Sequence, residues 1–170
     1  MCIRDRSLSR SGKNQQALQQ LKNISVNADN ELTIKLANAQ VLIADAQYAK
    51  AINILNGLEQ IYPNNHAVIY YLASALTESG KPEIALSKLD RLDNTRPFNP
   101  AFSRLTAKAA SKANLPWRSH ESLGDFYAAH GQYGTAMEQI QLSLRAPGIC
   151  LLYTSPSPRD ATLSRMPSSA

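Results

Sequence analysis

One arrangement of apolar positions recurs along the chain while the polar positions between them change. In YAKAINILNGLEQIYPNN, Ala51, Leu55, Leu58 and Pro63 stand 34 positions before Ala85, Leu89, Leu92 and Pro97 of PEIALSKLDRLDNTRPFNP. Counting 34 positions back from Ala51, Leu55 and Leu58 reaches Ala17, Leu21 and Ile24 in NQQALQQLKNI. A small residue followed by large ones four and seven positions on is one stripe of an amphipathic helix, and the alanine marks where a second helix crosses closely. A second helix precedes each of these. In AVIYYLASALTESG the apolar face is Val68, Tyr71, Leu72, Ala75 and Leu76, Gly80 supplies a left-handed stop, and Pro82 opens the next helix. ELTIKLANAQVLIADAQ repeats the plan with Ile34, Leu36, Val41 and Leu42. The unit is a helical hairpin, and the polar positions vary because they face water or a partner while the stripe is buried on the next hairpin.

A period of 34 with this skeleton resembles the tetratricopeptide repeat. The segment LGDFYAAHGQYGTAMEQIQLSL carries the resemblance furthest, with Leu123, Gly124, Tyr127, Gly131, Tyr133 and Ala136 in the family's order and spacing. Gly124 lets the partner helix approach and Gly131 ends the first helix. The phase slips here: Ala136 lies 51 positions after Ala85, so one extra helix, FNPAFSRLTAKAASKAN, intervenes before Pro116 and hands the following helix to two neighbours. The resemblance implies an all-α solenoid of helical hairpins, a right-handed superhelix. Its expected divisions are the second helix of a truncated repeat at 11–30, repeats at 31–64 and 65–98, a half-repeat helix at 99–116 and a final repeat at 117–147.

The ends read differently. GICLLYTSPSPRDATLSRMPSSA has no helical period, three prolines and many serines, the composition of a disordered tail. Both MCIRDR and CLLYTSPSPRDATLSRMPSSA resemble translated adapter or vector sequence found at the edges of metagenomic assemblies. Residues 1–10 and 148–170 are therefore set aside as non-native or disordered, and the native segment, about Leu8 to Pro147, is expected to be a fragment.

The ends also hold most of the charge. The formal net charge is +5, of which Arg4, Arg6 and Arg10 against Asp5, with Arg159 and Arg165 against Asp160, supply +3 and leave +2 for the middle. So neutral a solenoid has no reason to seek phosphate, which argues against nucleic acid as a partner. The two cysteines, Cys2 and Cys150, leave the interior without a disulfide or a CxxC metal site. No run of about 20 apolar residues is present to span a bilayer, and the start lacks the apolar core of a signal peptide.

Catalytic signals are weak. SHESLG begins like the zinc motif HExxH, but the position four residues after His120 is Gly124, and His66 and His130 lie elsewhere. There is no GxSxG elbow. The chain is expected to be neither an enzyme nor a holder of zinc or any other cofactor. What remains is a groove on the inner faces of the first helices, where Leu36 and Gln40, Tyr70 and Ser74, and Glu121 and Asp125 are the candidate partner-binding positions. Some members of the repeat family clamp a peptide's terminal carboxylate with Lys and Asn at such places, and these residues depart from that pattern. The acidic pair would instead favour a protein or peptide segment that is apolar with basic character at one end.

The run from about residue 31 to Arg145 further resembles the C-terminal repeat domain of periplasmic zinc metallopeptidases of the β-barrel assembly-enhancing (BepA-like) kind. That resemblance implies a periplasmic location, an N-terminal zinc peptidase domain lying outside this chain, and contacts either with that domain or with the outer-membrane assembly machinery. The alternative is a free-standing repeat adaptor of an unrelated pathway.

Overall fold

The computed structural model describes Gln16, Gln19, Leu21 and residues 30–93 and 99–147. Among these residues are seven helices and no strand: α1 Glu31–Ala44, α2 Tyr48–Ile61, α3 His66–Glu78, α4 Pro82–Asp93, α5 Pro100–Lys112, α6 Pro116–Ala129 and α7 Tyr133–Arg145. Gln16, Gln19 and Leu21 are helical too, with Leu21 buried and both glutamines exposed. Ala17, Ile24 and both chain ends lie outside the described residues.

The period of 34 is written into the backbone as well as the side chains. α1, α3 and α5 each end in the same turn, with the residue after the cap in the left-handed region: Ala46 at φ 56°, Gly80 at 81° and Asn114 at 56°. The next amide in each case reaches back five residues, Gln47 to the Leu42 carbonyl, Lys81 to Leu76 and Leu115 to Ala110, all at 2.9 Å. These bonds satisfy carbonyls that the helix end would otherwise leave unpaired. Gly131, at φ 73°, ends α6 in the same way, with Gln132 N–H donating to Tyr127 O at 3.0 Å. Helix starts repeat as well. The Asn65 side chain accepts from Ala67 N at 3.0 Å and Val68 N at 3.2 Å, and Asn99, 34 positions on, accepts from Ala101 N at 3.0 Å.

The predicted skeleton is the core. Ala51, Leu55 and Leu58 of α2, and Ala85, Leu89 and Leu92 of α4, are all at most 2% exposed. They pack with Val68, Leu72, Ala75 and Leu76 of α3 and with Phe102, Leu105, Ala109 and Ala110 of α5 in one continuous cluster. Consecutive helices pack pairwise, and α1, α3 and α5 also touch one another in sequence, so they form one layer. The other layer is tied by ion pairs. Lys88 of α4 holds both carboxylate oxygens of Glu59 of α2 at 2.6 and 2.7 Å, and Arg118 of α6 pairs with Asp90 of α4. That layer is therefore α2, α4 and α6.

α6 packs against both its neighbours. Towards α5 it presents Ser119, whose hydroxyl donates to the Ala107 carbonyl at 3.0 Å. Towards α7 it presents Gly124, which is buried. A Cβ there would lie 2.6 Å from Cδ1 and 2.9 Å from Cγ1 of Ile140. The sequence expectation that this glycine admits the partner helix is met.

Candidate partner-binding groove

The first-layer helices leave a groove of about 490 Å³ where α3 and α5 meet the C-terminal half of α6. Tyr70 and Ser74 line one wall, Arg104, Leu105 and Lys108 the other, and Phe126 and His130 close the end. Each wall follows from helical spacing, because residues four apart on one helix stack along one face. Arg104 and Lys108 stand 34 positions after Tyr70 and Ser74, which stand 34 after Leu36 and Gln40. All three pairs thus occupy equivalent places on the first-layer helices.

The aromatic rings are held in place by their neighbours. Tyr70 is half-buried and meets Tyr71 edge-on at a centroid distance of 5.5 Å and Phe102 at 5.3 Å. Phe126 lies 4.3 Å from the ring of His130, whose Nδ1 is 2.7 Å from the Phe126 carbonyl. Leu105 is buried and forms part of the floor, whereas Arg104 and Lys108 are exposed. Lys108 and Lys112 both pair with the carboxylate of Glu78, the latter at 2.9 Å. Their hydrogen bonds hold the Glu78 pKa below the ordinary carboxylate value, against a smaller opposing effect of burial. Arg104 has no ion-pair partner among the described residues.

The structure brings two of the six predicted positions, Tyr70 and Ser74, into this groove. Leu36 and Gln40 lie one helix earlier in the layer, on α1, and Leu36 is partly buried against the core. Glu121 and Asp125 do not line the groove. They sit three and seven residues after Arg118, on the same side of α6 as the residue that pairs with α4. Partial burial of its carboxyl, and then the negative charge of Asp125, raise the Glu121 pKa, with Arg118 opposing. The extra helix explains the difference: it fills the first layer itself and moves α6 into the second. Arg104 and Lys108 escaped the sequence reading, although the 34-residue count from Tyr70 and Ser74 reaches them.

The three histidines stand apart in role. His66 opens α3 with its ring edge-on to Phe102 at 6.4 Å, His120 contacts Gln139 of α7 through Nδ1 at 2.9 Å, and His130 belongs to the groove. Among the described residues, no three His, Cys, Asp or Glu side chains converge as a metal site, and no helix is long and apolar enough to cross a membrane.

The comparisons agree with this architecture. The family model described as tetratricopeptide repeat matches residues 42–109. No curated protein sequence matches the chain. Among solved structures, MamA MSR-1 C2 superposes with a TM-score of 0.54 at 14% identity over 84% of this chain and 91% of that one. MamA AMB-1 P212121 does so with a TM-score of 0.52 at 15% identity over 94% and 93%. Identities so low speak to fold alone, and with the helix order, the turns and the buried skeleton they establish it: the chain folds as a tetratricopeptide-type solenoid of helical hairpins.

Proposed function

We propose that the chain is a protein-binding module that captures a partner segment in the groove between α3, α5 and α6. One observation carries this reading. The skeleton residues are spent on burial between helices, while Tyr70, Ser74, Arg104 and Phe126 converge on an open concavity. Concave surfaces of stacked repeats are where such proteins engage partners. The partner is a segment of another protein or of a neighbouring domain of the same parent.

The finer assignment is to a periplasmic zinc metallopeptidase involved in outer-membrane protein assembly or quality control, with this chain as the repeat region. It is supported by the resemblance of residues 31–145 to the BepA-like arrangement, half-repeat included. A free-standing adaptor of another pathway is the second reading, and the match to a repeat family alone favours neither. The genomic sequence upstream of the codon for Leu8 separates them: an in-frame HExxH domain supports the metallopeptidase parent, and further repeats or a native start there overturn it. The groove itself is tested by placing a photo-crosslinking amino acid at Tyr70 and, as a control, at Lys50 on α2. Adducts with the parent's peptidase domain or with assembly-machinery components from Tyr70 alone support the reading. Equal adducts from both positions refute it.

A further inference from the structure

We infer that the groove is selective for an acidic segment. A side-chain carboxylate would be seated on Arg104, with a neighbouring large apolar side chain laid against Tyr70 and Phe126. The inference rests on the reading of the groove as the partner-binding surface and supplies the chemistry of the partner.

Charge decides the class. Among the described residues, Arg104 is exposed and without an ion-pair partner, and no Asp or Glu lines the groove. Lys108 and Lys112 share the one carboxylate of Glu78, so that group carries a surplus positive charge beside the same wall. An apolar segment with basic character at one end, the partner expected from the sequence, would bring like charge to Arg104 and Lys108 if that end lay here, with nothing to offset it. A wholly apolar segment would cover Arg104 and leave a desolvated guanidinium unpaired, which is costly. An acidic side chain meets the planar guanidinium in the two-bond geometry arginine favours. Leu105, Tyr70 and Phe126 then offer apolar surface within the same concavity, so an aromatic or aliphatic neighbour of the acid completes the fit.

The same geometry selects an internal acid over a chain terminus. The equivalent places on α1 and α3 are Leu36, Gln40, Tyr70 and Ser74, none of which is a cation. Only α5 supplies positive charge from these positions, and because Lys108 is already held by Glu78, Arg104 alone is left for direct two-bond pairing, with one carboxylate rather than the two that a chain ending in an acidic residue presents together.

The test selects random 12-residue segments, displayed within a coat-protein loop so that no terminus is free, against the full chain. Affinities of the selected sequences are then measured as amidated peptides. Enrichment of Asp or Glu beside Phe, Tyr, Leu or Met is expected. Arg104→Glu and the milder Arg104→Gln should weaken these peptides, the former about tenfold or more, while Lys50→Glu leaves them unchanged and circular dichroism shows every variant folded. Binding should fall with added salt. Selection of basic or uncharged peptides that still depend on Tyr70 would overturn the acidic preference and leave the groove as the binding surface. Peptides indifferent to both Tyr70→Ala and Arg104→Glu, or no selection at all, would count against the groove itself. Displacement of the peptides by inorganic phosphate at matching concentration would also overturn the inference, since it would mark a general anion site.

Discussion

The hairpins α3/α4 and α6/α7 are written on one skeleton and buried differently. In α4, Ala85, Leu86, Leu89 and Leu92 are all at most 4% exposed. In α7 the same places carry Ala136, Met137, Ile140 and Ser143. Ala136 is 7% exposed, Met137 is 61% exposed, Ile140 is half-buried, and Ser143 is buried with its hydroxyl donating to the Trp117 carbonyl at 2.7 Å. Tyr133, Leu142 and Leu144 add further exposed apolar surface. A periodic stripe therefore specifies a helix and the face it will bury if a neighbour comes. Whether the face becomes core depends on that neighbour: α4 has α3 and α5 against it and is tied to α2 and α6, while α7 packs on α6.

The largest expected effect sharpens this contrast. Leu89→Ala removes a side chain that is 2% exposed and should cost about 3–5 kcal/mol. Leu144→Ala, at a site 50% exposed, should cost under about 0.5 kcal/mol. Urea denaturation of the two variants measures the difference, and a comparable loss at Leu144 would mean that α7 is covered by something in solution.

Glycine makes the second comparison. Gly57 lies within α2, and a methyl group added to it would have nothing within 4 Å, whereas a methyl on Gly124 would press on Ile140. Gly57→Ala should stabilise by about 0.5–1 kcal/mol through helix propensity. Gly124→Ala gains the same propensity but incurs an overpacking cost of about 1–3 kcal/mol, for a net loss. Adding Ile140→Ala to Gly124→Ala should recover part of the crowding cost, as a double-mutant cycle would read out; strict additivity would break the claim of direct contact.

The smallest effect is electrostatic and depends on pH. Glu78 has a lowered pKa, so its ionised form contributes stability above the unfolded-state value and loses it as pH falls through the lower folded value. Glu121 has a raised pKa, so its ionised form opposes folding at neutral pH and the penalty vanishes as pH falls below the unfolded-state value. Glu78→Gln should therefore be mildly destabilising at pH 7, by under about 1 kcal/mol, with the deficit shrinking on acidification. Glu121→Gln should be neutral or stabilising at pH 7. Thermal midpoints from about pH 3 to 7 check both signs.

Much of the fold could be read from the chain because burial repeats with the sequence. Leu55, Leu58, Leu89 and Leu92 are the stripe and are also among the largest fully buried side chains. The stops at Gly80 and Gly131 were equally plain, since glycine adopts the left-handed turn without strain. Ala46 takes the same conformation without any such signal, held by the Gln47 and Leu42 backbone bond.

The groove was harder to read because α6 carries two messages. Leu123, Gly124 and Tyr127 have the wording of a first helix, and Gly124 serves the contact with α7, while Ser119 and Phe126 occupy the places of Ala85 and Leu92, and Ser119 bonds to α5. Reading only the first message puts Glu121 and Asp125 on the inner face. Continuing the count of 34 puts Arg104 and Lys108 there instead.

Titration of the isotope-labelled chain with a selected amidated acidic peptide, followed residue by residue through amide chemical shifts, tests the groove assignment most directly. The largest changes are expected at Tyr70, Ser74, Arg104, Lys108 and Phe126. Changes centred instead on Glu121 and Asp125, or on the outer surface around Lys50, would contradict the groove assignment.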